Sequence, residues 1–134
     1  MKWKSGLMHG LLSAAVASVA AIIYNILYTK AFIVDFSAVL NTGGIIFSST
    51  LGCVLMAVGY IMITGRYGTK WAGYLNLGYV LLSFVSILGL FSFHLPLEIE
   101  SPELFPGLAI PMHFFPALSF MAFAPFFNYW KEGQ

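Results

Sequence analysis

The residues of this chain whose types could do chemistry are polar side chains set within apolar sequence. Asn25, Tyr28 and His113 lie near one end of long apolar runs, and His94 lies just beyond the end of another run. Polar groups are costly in hydrocarbon, so those found at membrane depth mark binding sites or proton paths. We therefore predict that Asn25, Tyr28, His94 and His113 form a polar cluster that binds a ligand.

Three kinds of chemistry are open to this cluster. Imidazole and carboxylate groups bind divalent metals, and Glu98 and Glu100 follow His94 closely, so a metal-dependent membrane enzyme is one alternative. A proton or ion relay through Asn25 and His113 is the second. The third is a hydrogen bond between these two residues that only stabilises helix packing. The chain shows no metal-binding motif of fixed spacing, so the sequence predicts neither a metal ligand nor a cofactor.

Enzymatic catalysis is not favoured by the other nucleophiles of the chain. A serine nucleophile needs a neighbouring base and a group that orients that base. We expect no serine of the second or third apolar run to lie at the depth of a histidine. The sequence therefore predicts no catalytic residue, and a non-enzymatic role is favoured.

Aromatic side chains and prolines are concentrated in the last apolar run. Phe114, Phe115 and Phe120 flank Pro116, and proline removes a backbone donor and kinks a helix. A kink separates neighbouring helices, and aromatic rings line apolar cavities. We predict these three rings as the lining of a site for a lipid or quinone-like ligand. The alternative is that the rings only face lipid or fill the core.

The elements that must position these residues are four apolar runs, each about as long as a bilayer is thick. A helix needs ~20 apolar residues to cross a hydrocarbon core of ~30 Å, and only helices and closed barrels satisfy their backbone in lipid. We predict a single all-α membrane domain over residues 1–134, folded as a four-transmembrane-helix bundle. The predicted spans are about Gly6–Tyr28, Gly43–Thr64, Trp71–Phe93 and Leu108–Trp130.

The composition excludes several classes of protein. Only 8% of the residues are charged and 60% are hydrophobic, whereas soluble domains carry about 25% charge, so no separate soluble domain is expected. Six Lys and Arg residues spread over several loops make no patch for a phosphate backbone, which excludes a nucleic-acid partner. Cys53 is the single cysteine, and we expect it to be a small packing residue.

The basic residues predict how the chain is oriented. If all four runs cross the membrane, five Lys and Arg residues share one side and only Lys30 lies on the other. Basic residues in short loops mark the cytoplasmic side. Both termini are therefore expected in the cytoplasm, with the protein in a bacterial inner membrane. The five residues are Lys2, Lys4, Arg66, Lys70 and Lys131.

Small residues recur every fourth position in the first two runs, a spacing that lets helix backbones approach closely in lipid. We expect these faces to pack the first two helices together, and a contact between copies of the chain is the alternative. The two sets are Gly6, Gly10 and Ala14, and Gly44, Ser48 and Gly52.

Two further features concern the ends of the spans. The segment Lys30–Thr42 is too short to cross the membrane but carries Phe32 and Phe36 at helical spacing, which predicts a short helix at the membrane surface. Pro111 is expected in the first turn of the fourth helix, where a missing N–H has little effect.

These observations predict a small non-enzymatic membrane protein that binds an apolar ligand or a partner membrane protein. Its expected partners are membrane lipids, another membrane protein or a second copy of the chain. The main alternative is a subunit of an oligomeric small transporter or channel. The sequence does not identify a cofactor.

Overall fold

The computed structural model describes residues 3–129 of the chain, and the regular elements within that range are all helical. Four segments are long and apolar enough to cross a membrane, so the chain is a multi-pass membrane protein. The α-helices are α1 (Trp3–Phe32), α2 (Thr42–Tyr67), α3 (Ala72–Phe91), α4 (Phe105–Met112) and α5 (Phe115–Tyr129). Short 3₁₀ turns, Thr69–Trp71 and Pro102–Leu104, precede α3 and α4.

Local signals set the ends of α2. The side chain of Asn41 caps its first turn by accepting a hydrogen bond from the N–H of Gly44 at 2.7 Å. The helix ends at Tyr67 and is capped by Gly68, whose φ of 91° suits a residue without Cβ. We call the end of the bundle that holds Gly68 the tight-turn end. The opposite end, which holds segments 33–41 and 92–104, is the loop end.

The segment between α1 and α2 forms a turn and not the expected surface helix. Leu40 donates its N–H to the carbonyl of Phe36 at 2.8 Å, closing a single turn. Phe36 is buried and packs edge-on against Phe105 at a centroid distance of 5.3 Å. The carboxylate of Asp35 accepts the Ser37 N–H at 2.8 Å, and this bond lowers the pKa of that carboxyl. The inserted ring and the local bond together favour a turn over a helix.

The small-residue face of α1 packs against α2. Gly10 is buried, and a Cβ placed on it would lie 2.7 Å from the Cβ of Ala57 and 3.2 Å from the carbonyl oxygen of Cys53. Cys53 is fully buried, as expected of a packing residue. The contacting face of α2 differs from the expected one, because Gly44 and Ser48 are exposed. Its buried small residues are Ser49, Cys53 and Ala57.

Helix α3 lies at the edge of the bundle. Only Ser83 and Ile87 are buried along its length. Tyr79 attaches it to α2 by donating its hydroxyl hydrogen to the carbonyl of Met56 at 2.7 Å. Near the loop end, the ring of Phe84 meets Phe114 edge-on at 4.9 Å. The core is therefore built mainly by α1, α2, α4 and α5.

The fourth membrane segment is divided into α4 and α5. The break falls at His113 and Phe114, directly before Pro116, as expected from the proline. Pro125 stays within α5. Pro111 is not in the first turn as predicted, because α4 begins at Phe105 and Pro111 lies near its end.

Candidate functional site

A cavity of about 230 Å³ lies between the helices on the loop-end side of the break in the fourth segment. Most of its wall is apolar, and four groups can offer hydrogen bonds to its contents. The apolar wall is formed by Ala21, Leu40, Ile45, Leu90, Phe105, Ala109 and Pro116. The remaining lining residues are Ser48, Ser49, Met112 and His113. We call this space the loop-end cavity.

Ser49 contributes a hydroxyl group that the protein leaves unused. The residue is only 5% exposed, and its hydroxyl makes no hydrogen bond to any residue between 3 and 129. Its neighbour Ser48 instead donates to the carbonyl of its own helix at Ile45, at 3.2 Å. The free hydroxyl of Ser49 is therefore available to a molecule in the cavity.

Met112 contributes a backbone carbonyl that has lost its helical donor. In a regular helix the N–H of residue 116 would donate to this oxygen, but residue 116 is proline. The N–H groups of His113 and Phe114 donate to Ile110 and Pro111. Within the described chain the Met112 oxygen has no other donor. The break thus leaves a second polar atom unused in a residue that lines the cavity.

His113 is held in place by two serines of α3. Its Nδ1 lies 2.9 Å from Oγ of Ser86, and the same Oγ lies 2.7 Å from the carbonyl oxygen of Ser83. The single hydroxyl proton of Ser86 can be donated to Ser83 or to Nδ1, so either tautomer of a neutral imidazole fits this contact. Nε2 has no partner in residues 3–129.

This arrangement corrects one expectation from the sequence. Two serines of the second and third spans do lie at the depth of a histidine, since Ser86 bonds His113 and Ser49 lines the same cavity. Depth depends on the tilt and the break of the helices, which hydropathy does not report. Asp and Glu are not among the residues lining the cavity, so no carboxylate is placed there to orient His113 as in a hydrolytic triad.

A second space adjoins the same histidine from the side of α3. This groove, of about 320 Å³, shares His113 and Pro116 with the loop-end cavity. It runs between α2, α3 and α5, past Gly52, Met56 and Ser83. We call it the side groove. His113 therefore borders a space on each of two sides.

The other members of the predicted polar cluster lie elsewhere. Asn25 lines a separate surface cleft with Lys30 and Glu100. Tyr28 donates its hydroxyl hydrogen to the carbonyl of Leu104 at 2.7 Å. His94 is exposed in the loop. Of the four residues, only His113 borders the cavity. One expectation was a hydrogen bond between His113 and Asn25, but the partner of His113 is Ser86.

The predicted aromatic lining is located in the core. Phe114 packs against α3, and Phe115 meets Tyr24 edge-on at 5.8 Å. Phe120 is fully buried and stacks on His9 at 4.0 Å. None of the three borders the loop-end cavity or the side groove. Contact between these rings and a ligand stays a prediction.

His9 forms a closed polar contact near the tight-turn end. Its ring is fully buried, and Nε2 donates to the carbonyl of Phe120 at 2.7 Å. The ring also stacks on Phe127 at 4.9 Å. Nδ1 is buried without a partner among the described residues. His9 lines neither the loop-end cavity nor the side groove, and we interpret it as a packing contact between α1 and α5.

Residues 3–129 contain no group of three or more His, Cys, Asp and Glu side chains placed to hold a metal ion. The sequence predicted His113 but missed Ser49, Ser86 and the carbonyl of Met112. Only the last of these left a signal in the sequence, since Pro116 marks the carbonyl four residues before it as free.

The chain matches no protein-family model, and comparisons with curated proteins and with solved structures found no match.

Proposed function

We propose that this protein binds a small, mostly apolar molecule in the loop-end cavity, with the polar end of that molecule at His113. One observation carries the proposal: Ser49, Met112 and His113 line one mostly apolar cavity, and the Ser49 hydroxyl, the Met112 carbonyl and Nε2 of His113 have no hydrogen-bond partner among residues 3–129. These three residues can therefore hydrogen-bond the polar end of a molecule that fills the cavity.

The size of the cavity supports a ring or a short chain as the bound part. A protein cavity of about 150 Å³ takes up benzene, and this one is about 230 Å³. A lipid or a quinone-like molecule would place its polar end in the cavity and extend its tail along the side groove. The groove lies against α3, the helix with the fewest buried residues, so a tail can continue from it into lipid.

The distribution of charge supports an orientation in a bacterial inner membrane. Lys4, Arg66 and Lys70 lie at the tight-turn end, and Lys30 is at the loop end with Asp35. The positive-inside rule then places the tight-turn end and both termini in the cytoplasm. Lys2 and Lys131, which belong to the same expectation, lie outside the described residues, as does Trp130, the expected end of the fourth span. The ligand would enter from the outer leaflet.

Mass spectrometry of the detergent-purified protein tests the proposal. Ala109 lines the cavity, and Ala109→Leu should fill it without removing a polar group. Ala122→Leu adds the same bulk to an exposed position on α5 and serves as the matched control. We expect the unmodified chain and Ala122→Leu to retain an apolar small molecule that Ala109→Leu lacks. Equal ligand content in all three folded proteins would contradict the proposal.

A second candidate function is contact with a partner membrane protein or with a second copy of the chain through α3. The observation that favours it is the exposure of α3, where only Ser83 and Ile87 are buried. The same mass spectra test this function, because they report how many protein chains each purified complex contains. A transporter or channel subunit would also require such an assembly.

A further inference from the structure

An apolar groove lies along α2 and α3, starting at the tight-turn end. It has a volume of about 630 Å³, and its lining includes Ile63 and Tyr67 of α2 and residues from Trp71 to Leu82 on the other side. We call it the tight-turn groove. A helix rises about 17 Å from residue 71 to residue 82, which is close to half of the ~30 Å hydrocarbon core. The groove therefore extends through about one leaflet of the bilayer.

Three aromatic rings form a connected row along this groove. The ring centroids of Tyr67 and Trp71 are 6.1 Å apart, and those of Trp71 and Tyr74 are 5.4 Å apart. All three residues are exposed and line the groove. Tyrosine and tryptophan are enriched at the level of the lipid headgroups, so the row marks the headgroup end of the groove. Deeper in the groove lies Gly78, where an added Cβ would meet nothing within 4 Å.

Two basic side chains accompany the row of rings. The guanidinium carbon of Arg66 lies 5.7 Å from the ring centroid of Tyr67, and the exposed Lys70 directly precedes Trp71. Neither basic residue forms an ion pair with a residue between 3 and 129. The acidic residues in that range all belong to the loop end; they are Asp35, Glu98, Glu100 and Glu103. Positive charge therefore lies beside the apolar groove with no described carboxylate to neutralise it.

We propose that the tight-turn groove binds an anionic phospholipid, with an acyl chain in the groove and the phosphate at Arg66 and Lys70. Arginine and lysine are common partners of phosphate groups, and basic pockets between membrane helices bind anionic headgroups. A helix of a partner protein would cross the whole bilayer, whereas a groove one leaflet deep fits a lipid. The groove shares no lining residue with the loop-end cavity, so this inference does not rest on the proposed function.

Mass spectrometry of the intact full-length chain, released from detergent, measures this binding. The probes are dioleoyl phosphatidylglycerol and dioleoyl phosphatidylcholine, which share their acyl chains but differ in headgroup charge. We expect phosphatidylglycerol to bind about tenfold more tightly, within the range that one or two basic contacts supply. Arg66→Gln combined with Lys70→Gln should bring the ratio of affinities towards unity. Lys30→Gln, which removes a basic residue at the loop end, should leave the ratio unchanged.

A substitution within the groove tests the position of the lipid. Gly78→Leu should occupy the groove and weaken the binding of phosphatidylglycerol about tenfold. Gly89→Leu is the matched control on α3, because a Cβ there also meets nothing within 4 Å but Gly89 does not line the groove. Ala109→Leu fills the loop-end cavity and should leave phosphatidylglycerol binding unchanged, so this site is tested separately from the proposed function.

Four results would overturn the proposal. Equal affinities of the unmodified chain for the two lipids would contradict the selection of an anionic headgroup. Equal lipid binding by Gly78→Leu and Gly89→Leu would place the lipid outside the groove. If no lipid is retained, the row of rings is only an aromatic belt at the membrane surface. A second protein chain that is retained by the unmodified chain and lost in Gly78→Leu would assign the groove to a protein contact.

Discussion

Pro111 and Pro116 each leave the carbonyl four residues before them without its helical donor, and the structure treats these two carbonyls differently. Pro111 cannot donate to the carbonyl of Gly107, and Tyr24 of α1 donates its hydroxyl hydrogen to that oxygen at 2.8 Å. Pro116 frees the carbonyl of Met112, which borders the loop-end cavity. One carbonyl is paired for stability, and we interpret the unpaired one as part of a binding site.

A change at Tyr24 tests the pairing at Pro111. Tyr24→Phe removes the only side-chain donor to the Gly107 carbonyl seen in the described residues, and we expect a loss of about 1 kcal/mol in the free energy of unfolding. Pro111→Ala restores a backbone N–H for the same oxygen, so Tyr24→Phe should cost less in that background. Thermal unfolding in detergent measures both.

Tyr74→Phe is the control for Tyr24→Phe, because Tyr74 is largely exposed and should lose its hydroxyl group at little cost. Equal losses from Tyr24→Phe with proline or alanine at position 111 would show that the tyrosine does not replace the missing donor.

The sequence could identify a residue of the site only where the residue type is itself unusual for its position. His113 could be identified because a histidine within an apolar run is unusual. Ser49 and Ser86 could not, since serines are frequent in these spans and only the three-dimensional contacts separate a free hydroxyl from one bonded to its own helix. Asn25 was expected beside His113, but it lies at a different cleft because depth in the membrane does not fix which face a residue occupies.

At the level of the helices, one small-residue face was predicted and its partner was not. Gly10 and Ala14 of α1 are buried against α2 as expected. On α2 the expected positions Ser48 and Gly52 are each one residue from the buried positions Ser49 and Cys53. Two adjacent faces of α2 both carry small residues every fourth position, so spacing could not choose between them. The choice depends on which face α1 meets.

The close approach of α1 and α2 is tested at Gly10. Gly10→Ala would bring a methyl group to 2.7 Å from the Cβ of Ala57, and we expect a loss of about 1–3 kcal/mol from overpacking. Adding Ala57→Gly should recover part of that loss, because the contact with the Cys53 carbonyl at 3.2 Å remains. Denaturant unfolding in detergent measures the three proteins.

Gly89→Ala provides the matched control for the change at Gly10. A Cβ at Gly89 would meet nothing within 4 Å, and alanine favours a helix by up to about 1 kcal/mol over glycine. We expect Gly89→Ala to be neutral or slightly stabilising. If Gly10→Ala behaves in the same way, the two helices are not in the tight contact described above.

For the whole molecule, hydropathy was sufficient to predict four membrane-spanning segments, because each run is long and nearly free of charge. It could not predict that α3 lies at the edge of the bundle, since its segment is about as apolar as the first two yet α3 buries the fewest residues. In lipid an apolar face gains nothing from burial in protein, so hydrophobicity does not report packing. The attachment of α3 depends instead on Tyr79 and Ser86, whose partners come from distant parts of the chain.

Orientation is the property of the whole molecule that the charges predict and that labelling can measure. Ser37 is exposed at the loop end and Thr69 at the tight-turn end, so each can carry a single new cysteine. In intact cells a membrane-impermeant maleimide should label Ser37→Cys, whereas Thr69→Cys should be labelled only after the membrane is permeabilised. The unmodified chain is the control, because Cys53 is fully buried and should stay unlabelled.

The physical cause of that orientation can be tested with the same reagents. The tight-turn connection holds Arg66 and Lys70, and basic residues in a short loop resist transfer across the membrane. Replacing both with glutamine leaves Lys4 as the remaining described basic residue at that end, against Lys30 at the other. We expect part of the population to invert, so that Thr69→Cys becomes partly labelled in intact cells. Labelling of Thr69→Cys in intact cells before these replacements would instead place the tight-turn end outside and reverse the proposed entry of the ligand to the inner leaflet.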